Sequence, residues 1–121
     1  MRVLIVESDA GLAAIWQRHL QRQGAEVSCA ATQAAAVSLI RTAEIQVIVL
    51  SLDLAAGSAL AVADFASYKR PEARVIFVTR SGFFSDGSIF QLAPNTAAYI
   101  AAETPPEDLA ALVEHHGAPS V

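Results

Sequence analysis

The sequence predicts a doubly wound α/β domain, a five-stranded parallel sheet with helices on both faces. Three observations carry this. Val47-Ile48-Val49-Leu50 is an unbroken apolar run with three β-branched members, the signature of a strand buried on both faces of a parallel sheet. Four further short apolar runs recur along the chain, separated by stretches with helical periodicity or helix-start residues. Alternating strands and helices require crossovers of one hand, which gives a doubly wound sheet, and the flavodoxin-type strand order 2-1-3-4-5 is expected for it. In such a sheet the functional crevice lies beyond the carboxyl ends of strands one and three.

Length and composition bound the rest. The 121 residues suit one domain, 1–121, and the expectation is a single domain without an effector domain. Hydrophobic residues are 54% and charged ones 17%, a globular rather than disordered balance. The net charge of −4, with no Lys or Arg cluster, argues against nucleic acid as a partner. Every apolar run is interrupted before it could span a membrane, and the opening residues lack a signal-peptide cleavage site. The expectation is a cytoplasmic protein with no membrane partner. Cys29 is the single cysteine and has no neighbours spaced as metal ligands, so it reads as a small buried hydrophobe.

In chain order, strand one covers 3–6 and runs into the polar turn Glu7-Ser8-Asp9. A helix over 10–23 follows, with Leu12, Ile15, Trp16 and Leu20 as its apolar stripe and Gly24 at its left-handed C-terminal residue. Strand two covers 26–30, and Thr32 caps a helix that ends near Arg41. Strand three covers 46–50 and leads to Ser51, Asp53 and a small-residue loop, before a helix over 59–68 that carries Leu60, Val62 and Phe65. Strand four covers 74–78 and ends at Thr79. Residues 80–95 are the weakest helix candidate, because Gly82 and Gly87 each cost about 1 kcal/mol relative to alanine. Strand five covers 97–101, and Thr104 with Pro105, Pro106, Glu107 and Asp108 opens a final helix whose stripe is Leu109, Leu112 and Val113.

These strand ends resemble the receiver domain of two-component response regulators, a flavodoxin-like or CheY-like fold, over nearly the whole chain. Val6-Glu7-Ser8-Asp9 resembles the acidic turn that holds Mg²⁺, with Glu7 at the first acid and Ser8 at the second. Val47 to Leu54 resembles the acceptor strand, with Ser51 where the phosphorylated aspartate belongs. Thr79 matches the family's Thr/Ser switch position and Tyr99 its aromatic one, while Ala102 stands in place of the lysine. Ser8, Ser51 and Ala102 therefore depart from the pattern at three positions that the chemistry needs. Phosphoryl transfer there uses a carboxylate nucleophile, a hard cation on carboxylate oxygens and a cationic side chain on the phosphoryl oxygens. A serine hydroxyl stays protonated unless a base adjoins it.

The resemblance thus implies a degenerate pseudo-receiver that is not an enzyme. It is expected to signal by protein contact and independently of phosphorylation, with no cofactor. Glu7 and Asp9 are at most weak metal candidates, so any Mg²⁺ binding is weak. In the family the partner face is made by the segment after strand four, strand five and the final helix. Phe83, Phe84 and Tyr99 are the candidates there for contact with a signalling protein or a second copy; Phe90 is the more core-like aromatic. Two alternatives stand beside this reading: an active receiver phosphorylated on Asp53 with Mg²⁺, and a small-ligand-binding flavodoxin-like module. The second lacks a Gly-rich phosphate loop after strand one. A Ser51 hydrolase is disfavoured, because no nucleophile-elbow motif surrounds the serine and His19, His115 and His116 fall on helix segments placed away from the crevice.

Overall fold

The computed structural model describes residues 1–80 and 95–117. Five strands, β1 (Arg2–Val6), β2 (Glu26–Ala30), β3 (Val47–Ser51), β4 (Arg74–Thr79) and β5 (Thr96–Ala101), form one parallel sheet in the order β2-β1-β3-β4-β5. Four helices are described: α1 (Ala10–Arg22), α2 (Gln33–Thr42), α3 (Ala59–Lys69) and α4 (Pro106–Gly117). The fold class and strand order are those the sequence predicts. The helix candidate over 80–95 lies outside the described residues except at its ends, as do Phe83, Phe84 and Phe90.

Side-chain alternation along the strands divides the core into two layers. Leu4, Val6, Ile48, Leu50, Val75 and Phe77 face α2 and α3, where Ala36, Ile40, Val62, Ala63 and Ala66 meet them. Val3, Ile5, Val47, Val49, Ile76 and Val78 face α1 and α4, against Trp16, Leu20, Leu109 and Val113. All five residues of β3 are buried, so this strand lies at the centre of both layers. Alanines occupy many helix positions over the sheet, which lets helices sit close without large side chains between them.

Chain ends of the helices follow local chemistry. Asp9, Thr32 and Ser58 cap α1, α2 and α3, each accepting a backbone N–H three residues on. Gly24, just past α1, has φ 92°, the left-handed conformation expected there.

Three packing expectations need correction. Ile15 is 38% exposed, because Ala13 rather than Ile15 completes the α1 stripe with Trp16 and Leu20. Leu60 is 39% exposed, and Ala59 takes the inward place at the start of α3. Cys29 is exposed rather than buried, since β2 is an edge strand. Packing against α1 still pushes its thiol above the ordinary value, and its Sγ lies 3.7 Å from Gln17 Oε1. His19 is half-exposed, as expected, with Nδ1 bonded to the Ile15 carbonyl and Nε2 4.0 Å from Glu107 Oε2.

Candidate functional site

Strand register gathers the predicted residues at one edge. Val6 is opposite Leu50 in the β1–β3 pair, and Ser51 is opposite Val78 in the β3–β4 pair. Thr79 is opposite Ala101, and the Ala102 N–H donates to the Thr79 carbonyl at 2.8 Å. A register irregularity between Val75 and Ile76 sets this alignment and puts Tyr99 opposite Phe77. Glu7, Ser51, Thr79 and Ala102 therefore stand at the carboxyl ends of four neighbouring strands.

The acidic turn is more tightly organised than its composition shows. Glu7 is buried, and its Oε2 accepts the backbone N–H groups of Ser8 at 2.8 Å and Asp9 at 3.4 Å. Ser8 turns away from the carboxylates: its hydroxyl donates to the Ala31 carbonyl at 3.0 Å and accepts the Ala55 N–H at 2.8 Å. It thereby joins the end of β2 to the loop after β3. Asp9 Oδ1 accepts the Leu12 N–H at 3.1 Å as the cap of α1.

Ser51 is 1% exposed, within β3 rather than just beyond it, and its Oγ accepts the Asp53 N–H at 3.3 Å. Thr79 is buried as well, whereas Tyr99 is half-buried against the α2/α3 layer. Ala102 is a partly buried methyl packed on the α1/α4 layer and brings no charge to the strand ends. Asp53 is exposed on the loop after β3. Its Oδ2 accepts the Arg80 N–H at 2.9 Å.

Arg80 is the residue that sequence reasoning missed. Its Nη2 lies 3.3 Å from Glu7 Oε1 and 3.5 Å from Asp9 Oδ2. The side chain of Glu7 is 1% exposed and that of Arg80 48%, so the cation reaches in from solvent to a buried anion. A buried carboxylate needs such a partner, since leaving it uncompensated is strongly unfavourable. The available signal was a basic residue directly after Thr79, on a strand end two strands away from an acidic turn.

The remaining chemistry-bearing residues are elsewhere. His115 and His116 pack edge-to-face with centroids 5.0 Å apart, at the end of α4 where Gly117 meets Met1 and Val47. That is the amino-terminal edge of the sheet, opposite Ser51. Among the described residues no group of three or more His, Cys, Asp or Glu could hold a metal ion, and no helix is long and apolar enough to cross a membrane.

The five-stranded order with this arrangement of strand ends is that of the CheY-like receiver fold, and solved structures bear this out. The chain is similar to a CheY-like response regulator receiver domain from Methanospirillum hungatei JF-1, at 23% identity and a TM-score of 0.88, over 96% of this chain and 92% of that one. It is similar to the signal receiver domain of a putative Luxo repressor protein from Vibrio parahaemolyticus, with 22% identity, TM-score 0.86, and coverage of 96% and 88%. A response regulator from Thermotoga maritima, solved in complex with Mg²⁺ and BeF, matches at 19% identity and TM-score 0.82 over 95% of this chain and 97% of that one. No family model and no curated protein matches the sequence. At these identities the likeness establishes the receiver-domain fold.

Proposed function

We propose that the chain is a receiver-type module of two-component phosphorelay signalling that acts without taking a phosphoryl group. The observation that carries this is Ser51: a buried hydroxyl at the end of the central strand, where the receiver pattern has a carboxylate. A hydroxyl needs an adjacent base to attack phosphorus, and Ser51 Oγ instead accepts a backbone N–H from Asp53. Ser8 and Ala102 support the same reading, one engaged in loop hydrogen bonds and the other apolar.

Output is then by protein contact, in the cytoplasm, with a signalling protein or a second copy. Among the described residues this face comprises β5 and α4; the segment after β4, which the resemblance adds to it, lies outside them. Tyr99 lies on β5 there; Phe83 and Phe84 fall outside the described residues. Thr79 and Tyr99 are the positions that would link this face to the crevice.

Incubation with a small-molecule phosphodonor and Mg²⁺, followed by intact-mass measurement, tests the proposal. No added phosphate is expected. A stoichiometric adduct on Asp53 would establish the alternative, an active receiver with its acceptor two residues on. The small-ligand alternative is weaker: the 230 Å³ depression beside the turn is lined by Glu7, Ser8, Gln17 and Cys29, and its carboxylate repels a phosphate-bearing ligand.

A further inference from the structure

We propose that Arg80 is the resident cation of this crevice, taking the place a divalent ion would need and tying three strand ends together. The inference rests on the receiver reading in one respect: the acidic turn is where that fold would hold Mg²⁺. The residues present do not fit such an ion. Mg²⁺ demands near-octahedral oxygen ligands at about 2.0–2.1 Å and usually takes one or two carboxylates. Here Glu7 Oε2 already accepts two backbone N–H groups, and Glu7 Oε1 faces the Arg80 guanidinium. Asp9 Oδ1 caps α1, and Asp9 Oδ2 faces the same guanidinium. The Ser8 hydroxyl is committed to Ala31 and Ala55. An incoming ion would have to displace the Arg80 guanidinium from Glu7 Oε1 and Asp9 Oδ2, the two oxygens that the turn and the helix cap leave over.

Arg80 acts through two separate groups. Its guanidinium holds the turn after β1, and its backbone N–H holds Asp53 on the loop after β3. Being the residue after Thr79, it anchors both to the end of β4. A planar guanidinium with several donors can bridge two carboxylates in this way, which an ammonium does less well. The crevice therefore keeps its conformation with charge supplied by the chain itself, and neither an ion nor an added group is needed to set it.

The test is a cation titration of the full chain, read by melting temperature in chelator and across millimolar Mg²⁺, for the parent, Arg80→Ala and Arg80→Lys. The parent is expected to move by less than about 1 °C, since a ligand that does not bind the native state cannot stabilise it. Arg80→Ala retains the backbone bond to Asp53, melts lower in chelator, and recovers by about 3–8 °C as Mg²⁺ neutralises Glu7 and Asp9. Arg80→Lys keeps the charge and stays closer to the parent in both conditions. If Arg80→Ala proves too unstable to purify, Arg80→Met, which keeps the apolar stem, takes its place in the same titration. A parent with a saturable Mg²⁺ response equal to that of the variant overturns the proposal, as does a variant as stable as the parent and equally indifferent to Mg²⁺. No phosphodonor is present, so this outcome is separate from the mass experiment: an Mg²⁺-indifferent parent that nevertheless gains phosphate sinks the phosphorylation-independent reading and leaves Arg80 in place.

Discussion

Ser8 shows how much one hydroxyl can hold together. A hydroxyl can donate and accept at once, and here it does both, to Ala31 and from Ala55. Removing it in Ser8→Ala loses two hydrogen bonds and should cost about 1–2 kcal/mol, read as a lower urea midpoint with unchanged slope. The double change Ser8→Asp with Ser51→Asp has a different expected signature. It adds two carboxylates to strand ends that already carry Glu7 and Asp9, and like charges about 4 Å apart repel by about 4 kcal/mol at an effective dielectric near 20. The variant should melt lower in chelator than the parent and gain a Mg²⁺-dependent rise. Equal melts in both conditions would mean that the two serines do not share the crevice.

Helix caps and glycine turns place the site from the element level. Asp9 serves twice, as the cap of α1 and as a partner of Arg80, and two substitutions separate the roles. Asp9→Asn keeps a capping oxygen and should stay near the parent, because the half-exposed ion pair contributes only about 0–1 kcal/mol. Asp9→Ala loses the cap too and should cost about 1 kcal/mol more, measured by denaturant unfolding. The glycines differ in a comparable way. Gly24 and Gly57 both have positive φ, at 92° and 100°, but a Cβ on Gly24 meets open space while one on Gly57 collides with the Gln33 side chain. Gly57→Ala should therefore destabilise more than Gly24→Ala, whose cost is backbone strain alone at about 1–3 kcal/mol. Equal losses in paired melts would show that Gln33 moves aside freely.

Across the whole molecule, the sheet separates two chemistries: the Arg80 cluster at the carboxyl edge and the histidine pair at the amino edge. Desolvation holds His116 below the ordinary histidine value of 6.5, helped by the charges of His115 and Arg74. In the window below that value the unfolded chain binds more protons than the folded one, so stability rises with pH there. Stability should fall as the pH drops through the ordinary histidine value towards the lower folded one. The loss should be small, because the group is largely solvated. His116→Gln should flatten this part of the profile, and an unchanged slope in melts across that pH range would assign it to other groups.

What the sequence determined by itself was the architecture. Continuous β-branched runs specify strands buried on both faces, and Thr32 and Gly24 mark helix boundaries through local backbone chemistry, so β1 to β5 fall within a residue of expectation. The strand-end identities Glu7, Ser51, Thr79 and Ala102 were legible for the same reason, since each directly ends or follows a recognisable strand. Exposure at the margins was not: Ile15 and Cys29 lie on elements whose outer limit depends on which neighbour covers them. Arg80 was decided only by the tertiary structure. Its partners Glu7 and Asp9 are 73 and 71 residues away in the chain, and the strand order 2-1-3-4-5 places β3 between the strands that bear them. Periodicity and capping describe interactions within a few residues, whereas a guanidinium on a long side chain finds its carboxylates only after the sheet has set the strand ends side by side.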